Sequence, residues 1–293
     1  MKTDKNVYPD IGRRIRERRK KLGLTQAQLC GDYMTRNMLS RIETGDAHPS
    51  LDTLLYISQK LKMPPSFFLC RDNMEEAEYT KAVRVKDARR FFGTGQLKKC
   101  LDVCEELPSD DDEVSAIKAG ARILNAIALF DRGELREARA NLEKAEDAIH
   151  STVYLYDESI SQIKLIRSLF NSLSKGEPLE PADLPSAPPI YFSKDRYLYI
   201  LALSLGENGT HIKHALSEGS VYKKHLEARE LMAGGSFAEA ALILDVIFND
   251  APDCYLEYFT LLDLEICCRE SEDYKTAYRL AEIRADLHDK YSK

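Results

Sequence analysis

The sequence predicts an all-α protein made of a small basic head and a long acidic body. Three observations carry this. Apolar residues recur at helical spacing through most of the 293 residues, and strand-like alternation is scarce. Helix start and stop residues punctuate the first seventy positions at short intervals. Beyond residue 75 one segment pattern recurs four times, as expected of a helical array.

In the head, Ile11 to Leu22 forms the first predicted helix, with Ile11, Ile15 and Leu22 as its apolar positions and Gly23 as its stop. Thr25 caps the second, with Gln28 completing a capping box, and Ala27, Leu29 and Cys30 expected to pack inward. Gly31 and Asp32 make a turn. Thr35 caps the third helix, with Met38, Leu39 and Ile42 on its inner face and Gly45 as its close. Pro49 and Ser50 open the fourth, whose expected buried set is Leu51, Leu54, Leu55, Ile57 and Leu61. Pro64 and Pro65 end it, and Phe67 to Leu69 form a short fifth.

Charge separates the two parts. Residues 1–70 carry 13 Lys+Arg against 7 Asp+Glu, a net +6, and the remainder carries 29 against 41, a net −12. A basic head suits a polyanion, because phosphate contacts release counterions from nucleic acid. An acidic body repels DNA and confines contact to the head. Arg13, Arg14, Arg16, Arg18, Arg19, Lys20 and Lys21 supply most of the cations.

Three motifs in order, LTQ (24–26), LSRIETG (39–45) and PSLDTL (49–54), resemble the lambda-repressor-like, or XRE-family, helix-turn-helix domain over about residues 9–70. The turn is about one residue shorter than that family's commonest pattern. The resemblance implies a five-helix DNA-binding domain whose third helix enters the major groove. It makes Arg36 and Asn37 the base readers, since Arg suits guanine and Asn suits adenine. Thr35, Ser40 and Arg41 are expected at phosphates or flanking bases, and Gln26 at a phosphate near a positive helix end. Glu43 is expected to pair with Arg14 or Arg18 of the first helix.

In the body four segments align, at 91–107, 129–145, 231–247 and 267–283. Each has a turn, then a bulky residue (Leu97, Leu135, Phe237, Tyr274), then a small one three positions later (Cys100, Ala138, Ala240, Ala277). Nine residues before the bulky position stand Ala88, Ala126, Ala228 and, out of pattern, Glu265. This resembles the tetratricopeptide repeat and implies a right-handed helical solenoid. Between 151 and 217 the period breaks. A helix is expected over Thr152 to Leu173, an extended surface loop over 176–189 with its five prolines, and helices near 194–205 and 210–218.

Within the repeats Arg84, Arg122 and Lys224 share one position, and Asp87, Asn125 and Glu227 another three residues on. Spacing of i, i+3 puts each pair on one helical face. The pattern fits a polar track for an extended peptide, with Lys164, Arg167 and Asn171 as further candidates. The plainer reading, a set of intrahelical salt pairs on a solvated face, is the favoured one.

No P-loop, dinucleotide fingerprint or nucleophile elbow occurs, so no enzyme and no cofactor is expected. His211 with His214, and Cys100 with Cys104, lack a second ligand pair, so no metal is expected. Seven cysteines show no paired framework, and no apolar run is long enough for a membrane span. A cytoplasmic protein without membrane contact is expected.

An XRE-type head on a repeat body resembles the peptide-sensing transcription regulators of the Rgg and PlcR type. That implies double-stranded DNA, a homodimer and a short signalling peptide as partners. The corresponding division is 1–70 for DNA binding, 71–78 as linker and 79–293 for ligand and dimerisation. Two alternatives stay open: a scaffold whose body binds a folded protein, and a constitutive regulator whose body only dimerises.

Overall fold

A computed structural model describes residues 11–70, 76–108, 111–154 and 156–292. All regular structure among these residues is helical. The chain divides into two compact units, Met1–Arg84 and Val85–Lys293.

The first unit contains α1 (Ile11–Lys21), α2 (Gln26–Cys30), α3 (Arg36–Thr44), α4 (Leu51–Leu61), α5 (Pro65–Leu69) and the start of α6 (Glu76–Gly93). Of the expected linker, 71–75 lie outside the described residues, and 76–78 are the first turn of α6. Ile15, Leu29, Leu39, Ile57, Leu61 and Phe68 form the fully buried centre of the unit. The caps form as their residues dictate. Thr25 Oγ1 accepts from the Gln28 backbone N–H at 3.2 Å and Gln28 Oε1 accepts from the Thr25 N–H at 2.8 Å. Thr35 and Ser50 cap α3 and α4 by accepting from the Met38 and Thr53 backbone N–H groups. Gly12 is required where α1 meets α3, because a Cβ there would lie 1.9 Å from the Ile42 carbonyl oxygen.

Several inward expectations are corrected. Leu22, Ala27, Met38, Leu51 and Leu55 are exposed. On α4 the inner stripe is Leu54, Ile57, Ser58 and Leu61, an i, i+3, i+4, i+7 set. Leu55 falls on its flank, and Leu51, in the first turn, is 69% exposed. On α3 the inner face is filled by Leu39, Ile42 and Glu43, which leaves Met38 outside.

The second unit continues with α7 (Leu97–Glu105), α8 (Asp112–Asp131), α9 (Leu135–His150), α10 (Tyr156–Lys175), α11 (Lys194–Ser204), α12 (Val221–Ala233), α13 (Phe237–Asn249), α14 (Cys254–Glu270) and α15 (Tyr274–Ser292). The small residues of the repeat sit where paired helices approach closely. Ala88, Ala126, Ala228, Cys100, Ala138 and Ala240 are completely buried, and Ala277 nearly so. Each turn before the bulky position needs a left-handed residue. Gly95, Gly133 and Gly235 supply it in three repeats, and Glu272 adopts φ 65° in the fourth. That fourth repeat is also the one whose bulky residue, Tyr274, is 64% exposed.

The segment between the repeats differs from expectation. The long helix begins at Tyr156, not Thr152. The stretch 206–215 is a 3-10 helix, where an α-helix over 210–218 was expected. The proline-rich loop is anchored: Leu179 is buried and its N–H donates to the Tyr255 hydroxyl at 3.4 Å, while Tyr197 donates to the Pro185 carbonyl. The array also folds back on itself, since α10 packs against α14 and α15 and the fully buried Tyr291 lies beside the α8–α9 turn at Gly133. A buried ionic cluster fixes this region. Arg196 reaches Asp131 at 2.7 Å and Asp253 at 3.6 Å. Tyr222 donates to Asp253 at 2.6 Å, and Asp253 caps α14 by accepting from the Tyr255 and Leu256 N–H groups.

Candidate nucleic-acid interface

The third helix is presented by what stands behind it. Arg19 grips Glu43 with two bonds, Nε to Oε1 at 2.6 Å and Nη2 to Oε2 at 2.9 Å. Gln26 Nε2 donates to the same carboxylate at 2.9 Å. One buried acid therefore ties α1, α2 and α3 together. Burial raises the Glu43 carboxyl pKa, but hydrogen bonds from Arg19 and Gln26 outweigh that and hold it below the usual carboxylate value. The partner is Arg19, not the expected Arg14 or Arg18: Arg14 is buried too, but it lies about 140° round α1 from Arg19 and meets a different neighbour. Arg14 instead donates to the Phe67 carbonyl at 2.8 Å, and Arg18 to the Leu61 carbonyl at 3.1 Å and to Glu76.

The basic cluster is thus divided. Arg14, Arg18 and Arg19 are structural, and Lys21 pairs with Glu76 at 2.9 Å. Arg16 and Lys20 are exposed, and Arg13 pairs with Glu17 on the same helix at 2.8 Å. The turn before α3 is set by Tyr56, whose hydroxyl donates to the Cys30 carbonyl at 2.9 Å and whose ring stacks on Tyr33 at 4.2 Å.

Against this frame Thr35, Arg36, Asn37 and Arg41 are exposed and Ser40 is half-buried. The side chains of Arg36, Asn37 and Arg41 make no hydrogen bond or ion pair among the described residues. Thr35 spends its hydroxyl on the Met38 N–H at 3.2 Å. Gln26, half-buried, arrives beside α3 through Glu43 and keeps one amide N–H and its carbonyl oxygen for other use. The guanidinium of Arg36 and the amide of Asn37 present donors at the N-terminus of a rigidly held helix, where its dipole is positive, and Arg41 adds a second unpaired guanidinium in its last turn, a surface suited to DNA.

The residues of α6 to α12 singled out by sequence as a polar track are more dispersed. Arg122 Nη1 and Asn125 Nδ2 both donate to Asn141 Oδ1 at 3.2 Å, and Arg122 also reaches Glu105 at 3.3 Å. Asp87 pairs with Arg90 at 3.2 Å and Arg167 with Glu146 at 2.7 Å. Lys164, Asn171 and Lys224 are exposed, and Arg84 and Glu227 half-buried. Sequence reasoning missed a cavity of about 430 Å3 lined by Phe92, Ala116, Ile117, Tyr154 and Tyr191, with the Arg89–Glu113 ion pair on its wall. Gly120 lies under it, since a Cβ there would meet Phe92 and the Tyr191 hydroxyl at 3.1 Å. Its aromatic walls come from positions 92, 154 and 191, too far apart in sequence to form a motif.

Comparison with known proteins gives the following. Residues 15–68 match the helix-turn-helix family HTH_3. No curated protein matches. Among solved structures the chain is similar to Bacillus thuringiensis PlcR in complex with the peptide PapR7 and DNA, at 17% identity, over 97% of this chain and 96% of that one, with a TM-score of 0.23. It is similar to the apo form of the competence regulator ComR from Streptococcus vestibularis, at 19% identity over 90% and 98% of the two chains, TM-score 0.25. It is also similar to PrgX in the PrgX/cCF10 complex, at 14% identity over 94% of each chain, TM-score 0.22. No described helix is long and apolar enough to cross a membrane. The chain carries, at residues 15–68, a helix-turn-helix domain of the XRE type.

Proposed function

We propose that this protein is a transcription regulator that binds double-stranded DNA through α3, as a homodimer on two half-sites. The observation that carries the reading is the set of unpaired Arg36, Asn37 and Arg41 on the exposed face of a helix fixed from behind by the Arg19–Glu43–Gln26 chain. In this reading Arg36 and Asn37 contact base edges, while Gln26, Thr35, Ser40 and Arg41 contact phosphates or flanking bases. The experiment is selection of duplexes from a random pool by the full chain, followed by affinity measurement on the enriched sequence and on random DNA. Enrichment of a two-fold-related sequence supports the reading, and equal affinity for all duplexes refutes it.

We infer further that residues 79–293 take a short peptide and that residues 1–70 respond. An aromatic cavity of about 430 Å3 supports this, because it has the size and apolar lining of a ligand site. Ligand binding shifts DNA affinity only if the two states bind the ligand differently. A peptide on the polar track would compete with Asn141 for Arg122 and Asn125. Asn125→Ala therefore tests the track: the peptide response disappears while DNA affinity stays. A response that needs a folded partner instead of a short peptide would favour a scaffold.

A further inference from the structure

The outward face of α3 carries one residue that base and phosphate contacts do not explain. Met38 is 42% exposed in the first turn of the reading helix, immediately after Arg36 and Asn37. We propose that Met38 reads the 5-methyl group of a thymine in each half-site. The proposal rests on the DNA-binding reading given above.

Three observations lead there. First, the core does not need Met38. Leu39 and Ile42 are essentially fully buried, and Glu43 completes the inner face through Arg19. Second, its placement is fixed. The Met38 N–H is held by Thr35 Oγ1 at 3.2 Å, so the first turn is formed and the side chain leaves the helix on its outer border. At 100° per residue it stands about 60° from Arg41 and about 100° from Asn37, so the three share one flank. Third, its chemistry differs from its neighbours. The other exposed residues of α3, namely Arg36, Asn37, Arg41 and Thr44, are all polar.

The major groove decides what such a residue recognises. Phosphates and most base-edge groups there are polar, and the thymine 5-methyl is the apolar exception. A methionine facing phosphates or a guanine edge gains nothing, whereas against a methyl it removes apolar surface from water on both sides. Its unbranched, polarizable thioether adapts to a small target whose position depends on the neighbouring Arg and Asn contacts. Arg36 and Asn37 then select guanine or adenine, and Met38 adds discrimination for thymine on the same strand or its complement.

The test uses the full chain and the duplex enriched from a random pool. Each thymine is replaced in turn by uracil, which removes only the methyl group and keeps pairing. Affinity is measured for the wild-type protein, Met38→Gln and Met38→Leu. The expected result is one thymine per half-site at which uracil weakens the wild type about fourfold, the effect of one buried methyl-sized group. Met38→Gln binds the thymine and uracil duplexes equally, Met38→Leu keeps a preference for thymine, and all three proteins bind random DNA alike. Three results overturn the proposal. They are the absence of any uracil-sensitive thymine, a Gln variant with the wild-type preference, and a loss of affinity by the Gln variant on random DNA. If no duplex is enriched at all, the DNA-binding reading fails and takes this inference with it.

Discussion

Removal of the Glu43 carboxylate should strongly destabilise the first unit. The side chain is 2% exposed and its partner Arg19 10% exposed, so neither charge can turn to water. Glu43→Ala deletes two bonds from Arg19 and one from Gln26, and leaves a buried guanidinium uncompensated. Breaking one side of a buried ion pair costs about 3–5 kcal/mol, a large share of the roughly 5–15 kcal/mol that holds a domain folded. Glu43→Gln keeps the shape and one acceptor, and should cost less, about 1–3 kcal/mol. Urea denaturation of the full chain, with amide exchange used to follow α1 and α3, separates the two variants. A loss below about 1 kcal/mol for Glu43→Ala would refute the reasoning, because it would mean that Arg19 is solvated or re-paired.

The same contact sets a pH dependence. The folded carboxyl titrates below the usual value, so the unfolded chain binds the proton first. The stabilisation is therefore complete above the unfolded value, about 4.3, and is lost as pH falls further through the folded one. Wild type should lose stability in that acid range relative to Glu43→Gln, whose curve lacks this component; parallel curves would contradict it. Gly12→Ala should cost about 1–3 kcal/mol or more, since the new methyl meets the Ile42 carbonyl and neither helix backbone can yield cheaply; thermal or urea denaturation checks it. Glu272→Gly should instead stabilise the second unit by about 0.5–1 kcal/mol, because Glu272 holds a left-handed φ that glycine adopts freely. An unchanged or lowered midpoint would show that the Glu272 side chain contributes more than its backbone strain costs.

Much of this was legible in the sequence for a physical reason. Capping residues act locally, so Thr25, Thr35 and Ser50 marked their helices without knowledge of the rest. Small residues at a fixed period had one explanation, close helix packing, and Ala88, Ala126, Ala138 and Ala240 are buried accordingly. What could not be read was which border residue turns inward. Met38 and Leu55 lie a fraction of a turn from the core stripe, and only the neighbouring helices decide their side. The choice of Arg19 over Arg14 and Arg18 has the same origin, because all three fit the composition and only the packing of α3, α4 and α5 around α1 decides that Arg19 meets Glu43 while Arg14 meets the Phe67 carbonyl and Arg18 the Leu61 carbonyl. The fold-back of α15 onto α10 and the aromatic cavity depend on contacts distant in sequence, for which local patterns carry no signal.

The most direct test of DNA reading by α3 is the affinity of Arg36→Ala and Asn37→Ala for the enriched duplex and for random DNA, at one fixed salt concentration. Each variant should lose about 1–3 kcal/mol on the enriched duplex and almost nothing on random DNA. Equal losses on both would contradict base reading by these residues and reduce α3 to an electrostatic contact.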